Sequence, residues 1–351
     1  MSALKTKIKE FFFKPFSVLS IGNRGKNYLG VQIFVLVILG FYASVGFYWS
    51  IEPKLFDIAR VNHGPAGLKK TEPVTGSATV STTIAIAETM LLKPGGYLYN
   101  DLFPPGLIMD NIPNWELGVL VQVRDMIRTL RNNMSRSQSQ STENLNLVNA
   151  EGLFYFDNKS WIIPSTEDEY QKGIEALKIY LSDLRNPDRQ NAQFYSRADN
   201  LTIWLSEVET RLGSLSQRLS TSVGKRQLDV SLAGDNAARK STNASTEKTL
   251  KTPWLKIDDI FFEARGTTWA LIHLLKAIEI DFSEVLLKKN ALVSLRQIIR
   301  ELEPTQDTLW SPMILNGSGL GFLANHSLVM GSHISRANAA IIDLRRLLED
   351  G

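Results

Sequence analysis

Residues 165–219 read STEDEYQKGIEALKIYLSDLRNPDRQNAQFYSRADNLTIWLSEVETRLGSLSQRL. Two apolar series run through them. Tyr170, Ile174, Leu177, Leu181 and Leu184 are spaced 4, 3, 4, 3. Beyond Asn186-Pro187-Asp188, the residues Phe194, Ala198, Leu201, Leu205, Val208, Leu212, Leu215 and Leu219 continue in alternating steps of 4 and 3. Such steps gather each series into one stripe along a helix. Ser165 or Thr166 suits the N-cap of the first helix. Glu167, Asp168 and Glu169 suit the positive end of its dipole. Heptad spacing on both sides of a proline break predicts a long antiparallel helical hairpin over 165–223. Leu177 and Leu205 are then structural positions in its coiled-coil-like seam.

The flanking sequence extends the same reading. Gly224 to Thr252 is rich in Ser, Thr, Asn, Ala and Lys without an apolar period, which predicts a flexible excursion at 224–252. Helical patterns resume at about Ile257–Ile280 and Phe282–Leu302. A last one runs from about Phe322 to Leu348, with Ile334, Ala337, Ile341, Leu344 and Leu348 in register. Upstream, residues 81–93 read as a helix stopped by Pro94-Gly95-Gly96. The stretch LFPPGLIMDNIPNWELG, residues 102–118, enters another helix. There Asn114 is the expected N-cap, Glu116 a dipole-compatible residue of the first turn, and Trp115 a structural clamp. Residues 135–142 are a polar, low-complexity break. Residues 151–164 are aromatic and β-prone, and predict a small hairpin or an ordered loop. The fold class is mainly α, a helical domain over 81–351.

Tyr28 to Ile51 reads YLGVQIFVLVILGFYASVGFYWSI, with no charged residue. About 20 residues suffice for a helix to cross the hydrocarbon core. Tyr28 at one end, and Tyr48 with Trp49 at the other, fit the two interfaces. The stretch is too long for the apolar region of a cleaved signal peptide, and Ala43-Ser44-Val45 is a poor cleavage match. It is expected to be a single transmembrane signal anchor at 28–51, contacting the lipid bilayer. Residues 1–27 carry six Lys or Arg against Glu10. The positive-inside rule makes them a basic cytoplasmic tail and puts residues 52–351 outside. Two readings of the tail stand, a frayed basic region or an interfacial anchor that pairs lysines with Phe11, Phe12, Phe13 and Phe16. Residues 52–80 contain Pro53, Gly64-Pro65, Gly67, Pro73 and Gly76, and predict a stalk or linker.

Composition narrows the chemistry. The 351 residues include no cysteine, so disulfides and thiolate ligands or nucleophiles are absent. The net charge of +3 is concentrated in the tail. A nearly neutral remainder has no electrostatic footprint for nucleic acid. Asp110 and Glu116 are a candidate carboxylate pair for hydrolysis of an envelope glycan, which needs two carboxyls roughly 5–10 Å apart. Against it, Glu116 suits a helix start and Asp110 its own turn. His326 and His333, seven apart, are candidate metal ligands with His273, Glu263 or Asp343, but ligands one turn apart at i, i+4 would be the stronger pattern. The loop NGSGLG at 316–321 lacks the spacing of a phosphate-binding loop. No cofactor is expected.

Longer stretches carry a resemblance. KPGGYLYNDLFPPGLIMDNIPNWELGVLVQVRD (93–125), SRSQSQST (135–142), AQFYSRADNL (192–201) and RLGSLSQRLSTSVG (211–224) are similar to the domain of unknown function 2333 family of proteobacteria. So are KTPWLKIDD (251–259), EARGTTWALIHLLKAIEIDF (263–282), WSPMILNGSG (310–319) and NHSLVMGSHISRANAAIIDLR (325–345). The resemblance implies a bacterial, inner-membrane protein and brings no activity, cofactor or catalytic residue. The expectation is a membrane-anchored, non-enzymatic scaffold or interaction protein of the cell envelope. It would meet other envelope proteins, or a second copy of itself, through helical surfaces. The alternatives are a glycan hydrolase at 110–116 and a periplasmic sensor or ligand-binding module.

Overall fold

The computed structural model describes residues 26–63, 74–137, 142–186, 188, 191–228, 247–311, 313–318 and 321–350. Most of the basic tail and residues 229–246 of the excursion lie outside the described residues. The chain divides into two units, Met1–Val45 and Gly46–Gly351.

Helix α1, Lys26–Trp49, makes up the described part of the first unit and ends in the second. Its 18-residue stretch Gln32–Trp49 has none of its residues buried. It is the one helix among the described residues long and apolar enough to cross a membrane or to be a signal sequence.

The second unit is built on helices α2 (Ile58–His63), α3 (Ser77–Leu92), α4 (Asn111–Thr129), α5 (Leu145–Phe154), α6 (Thr166–Arg185) and α7 (Ala198–Ser220). After them come α8 (Ile257–Asp281), α9 (Ser283–Lys288), α10 (Leu292–Leu302) and α11 (His326–Asp350). The central pair is α4 and α8. Gly118 and Gly266 let them meet at backbone distance. A Cβ on Gly118 would strike the Glu263 carbonyl oxygen, and one on Gly266 the Trp115 carbonyl oxygen. Trp115 and Trp269 lie beside this crossing with ring centroids 5.1 Å apart, both fully buried. Helix α3 packs across α4, α6 and α8. Its N-terminus is capped from the far end of α8: the Asp281 carboxylate accepts from Gly76 N (2.8 Å) and Thr79 N (2.6 Å).

The two heptad helices form where expected, and Ser165 caps α6 by accepting from Asp168 N. They do not pair with each other. Helix α6 packs on α5 and α3, and α7 packs on α11. The α7–α11 pair is antiparallel. Gly331 lies by Leu219, Asn338 by Gly213, and Arg345 is bonded to Glu209, so one number falls as the other rises. The hairpin expected over 165–223 is therefore corrected. An apolar stripe specifies that a face is buried but not against which helix. The α11 stripe, with its own steps of 3 and 4, supplies the matching partner for α7. Leu177 on α6 and Leu205 on α7 are both fully buried.

Other boundaries shift for local reasons. Residues 52–80, expected as a stalk, include α2 and the start of α3, and several of them dock on the body. Residues 151–154 of the β-prone region are the last turn of helix α5, which the Asn144 side chain caps. An ordered loop follows. The ends of the 224–252 excursion pair as antiparallel strands β1 (Lys225–Leu228) and β2 (Glu247–Leu250). The single helix expected over 282–302 breaks at Asn290, whose φ of 52° is left-handed.

Candidate functional site

The expected carboxylate pair does not form a site. Asp110 is exposed at the N-cap of α4 and makes no side-chain capping bond. Asn114 is not the cap. It lies inside the first turn, where its Nδ2 donates to Asp110 O (2.8 Å) and Asp259 Oδ1 (3.0 Å). The helix starts four residues earlier than expected because Pro113 is accommodated within its first turn, where no backbone donor is needed. Glu116 is consequently past that turn and faces inward, with no exposure at all.

Glu116 organises the loop before it. Its Oε1 lies 2.5 Å from Lys93 Nζ, and both side chains are fully buried. Oε1 and Oε2 accept from Leu98 N (2.9 and 3.1 Å), and Oε2 also accepts from Tyr99 N (2.8 Å). Lys93 Nζ donates in turn to Gly96 O (2.5 Å). One buried ion pair thus holds both ends of the 94–99 loop. Burial pushes the Glu116 carboxyl up to about 7, against the pull of Lys93 and the two backbone donors. A raised carboxyl suits a general acid, but this one has its oxygens taken by the protein and no access to solvent.

The histidines are also apart. His326 Nδ1 accepts from Leu315 N at the start of α11, while His333 Nδ1 meets Arg336. Glu263 pairs with Arg218, and Asp343 with Arg346. Among the described residues, no group of three or more His, Asp or Glu is placed to hold a metal ion.

What the structure does assemble is a junction between the end of α1 and the helical body. Trp49 lies against the Pro94-Gly95-Gly96 turn, so closely that a Cβ on Gly95 would meet its ring at 2.7 Å. Gly95 has a φ of 87°, a further reason for glycine there. Three residues on, Glu52 pairs with Arg265 Nε of α8 (2.8 Å), and the same guanidinium donates to Thr305 O and Asp307 O (both 3.0 Å). Burial pushes the Glu52 carboxyl above its usual range, and Arg265 opposes this. Phe56 then stacks on His273 (centroids 3.8 Å apart, 23° between planes) and donates its backbone N–H to His273 Nε2 (3.0 Å). That bond requires a neutral ring, whose Nδ1–H donates to Trp269 O (2.7 Å). Burial lowers the His273 pKa to about 4.

Arg265, Glu52, Lys93 and the role of His273 were missed in the sequence. Arg265 did leave a signal, as the only charged residue in the stretch ARGTTWALIHLL at 264–275. Such a residue must find a partner or stay out of the core.

The family model described as an uncharacterized protein conserved in bacteria (DUF2333) matches residues 23–351. The chain belongs to that family. No curated protein and no solved structure matches it.

Proposed function

We propose that this member of the family is a membrane-anchored, non-enzymatic scaffold or interaction protein of the bacterial envelope. In this reading α1 is a retained inner-membrane anchor. The basic tail faces the cytoplasm, and the helical body lies in the periplasm. The observation that carries the reading is the junction at residues 49–56. Trp49, the last residue of the apolar stretch Gln32–Trp49, is seated on the turn at Gly95, and the Glu52–Arg265 pair and the Phe56–His273 stack continue that contact, so the last turn of α1 is built into the helical body. The charge bias of the tail supports the orientation. The helical surfaces would meet other envelope proteins or a second copy of the chain.

The hydrolase alternative loses its second carboxylate, because Glu116 is enclosed by Lys93 and the 94–99 backbone. Asp110 remains accessible and supplies the test. Asp110→Asn is expected to complement a deletion strain fully, with unchanged melting of the purified protein. Unchanged melting with a deletion-like phenotype would overturn the non-enzymatic reading.

A further inference from the structure

We infer that the turn 103–108 and the neighbouring loop 161–163 form a second membrane contact, lying in the interfacial layer of the bilayer beside α1. The chemistry of these segments is the first ground. Phe103, Leu107 and Ile108 on one, and Trp161, Ile162 and Ile163 on the other, are large apolar side chains left exposed. Ile163 is 93% accessible, Phe103 65% and Ile108 63%. The two segments are held together: the rings of Phe103 and Trp161 meet edge to face at 5.5 Å, and Asn100 Nδ2 donates to Ser160 O (2.8 Å). Neither 102–109 nor 160–164 contains a charged residue. Exposed apolar residues scattered singly are ordinary, whereas a contiguous group of this kind marks an interaction surface.

The second ground says what covers it. Pro105, at the tip of the turn, lies against Gly46 of α1: a Cβ on Gly46 would stand 3.5 Å from the Pro105 Cβ. Gly46 falls within the apolar stretch Gln32–Trp49. It is one turn inward from Trp49, which at 1.5 Å per residue is about 4.5 Å deeper along the helix. Tyr48 and Trp49 are amphipathic rings that settle at the headgroup level. A turn level with Gly46 is then a few ångströms below that level, within the roughly 5–10 Å depth at which interfacial apolar faces rest. The occupant is the acyl and headgroup boundary of the bilayer. Trp161 supplies a further amphipathic ring suited to that layer.

The placement depends on α1 being a retained anchor, so the experiment reads both. The cysteine-free chain accepts single labels. The full-length protein, carrying Ile163→Cys, Ile108→Cys, Val37→Cys or Ile179→Cys and an environment-sensitive fluorophore, is reconstituted into vesicles of phosphatidylethanolamine and phosphatidylglycerol. Quenching by lipids spin-labelled near the headgroup, and by lipids spin-labelled deep in the acyl chain, is then compared across the four sites. The expected result is strong quenching at Ile163 and Ile108, quenching at Val37 by deeply labelled lipids, and none at Ile179 on α6. Quenching at Val37 with fully aqueous labels at Ile163 and Ile108 would overturn the second contact and leave the anchor standing. It would assign the patch to something other than lipid. Aqueous labels at all four sites would overturn both. A double Ile108→Ser, Ile163→Ser chain should retain its melting temperature, since both side chains are exposed, and should shed the quenching of a label at Phe103→Cys.

Discussion

Glu116 shows how one residue changes meaning between sequence and structure. Its place two residues after the expected cap Asn114 makes it look like a first-turn acid, yet the helix begins at Asn111 and the carboxylate turns inward to Lys93. Glu116→Leu should therefore cost about 3–5 kcal/mol, because it strands a buried ammonium and two backbone donors. Adding Lys93→Met should recover a large part of that loss, as paired removal of a buried ion pair often does. Additive losses in chemical denaturation would show that the pair is not a unit. His273 gives the pH dependence. Its pKa in the folded protein is about 4, against 6.5 ordinarily. Between those values the unfolded chain binds a proton that the folded one excludes. Its contribution is thus complete above about pH 6.5 and lost as pH falls through 4, up to about 3 kcal/mol. His273→Gln, which does not titrate, should melt with a difference from wild type that moves by this amount in the variant's favour from pH 7 to pH 4. A constant difference would mean that His273 is not buried neutral. The burial of Leu177 and Leu205 was legible from apolar period, and that of Trp115 from its size beside the helix start. The partners of Glu116 and His273 were not, because each lies across a loop that local pattern does not encode.

Among the elements, helix positions were legible and pairings were not. The stripes of α6 and α7 were read correctly as apolar faces, and the short proline break made each other's stripe the nearest candidate. The α11 stripe, far along the chain, proved the partner of α7. The register set by Gly331 near Leu219 and Asn338 near Gly213 places Leu212 within one turn of Ile341. Leu212→Ala and Ile341→Ala should each cost about 2–5 kcal/mol and should couple in a double-mutant cycle. Leu177→Ala and Leu205→Ala should instead add within about 0.5 kcal/mol. Coupling of the second pair and additivity of the first would restore the hairpin. The central crossing was equally hidden. Gly118 and Gly266 read as isolated glycines in helical patterns, and only the folded chain shows each facing the other helix's backbone.

At the level of the whole molecule, the apolar segment at the N-terminal end and the helical character of the rest were legible from composition and period. The junction was not. Residues 52–80 have the glycine and proline content of a linker, and composition cannot show that Glu52 and Phe56 are received by Arg265 and His273. The proposed anchoring gives that junction its purpose, and the absence of native cysteine makes the anchoring directly measurable. Single cysteines are placed at Ser2→Cys in the tail and at Ser214→Cys on the exposed side of α7, and cells are converted to spheroplasts and treated with a membrane-impermeant maleimide. A retained anchor with the body outside requires labelling at Ser214→Cys in intact spheroplasts, labelling at Ser2→Cys only after lysis, and both labels on a full-length chain in the membrane fraction. Labelling of Ser2→Cys but not Ser214→Cys in intact spheroplasts, or a shortened soluble chain from which the tail has been lost, would contradict it.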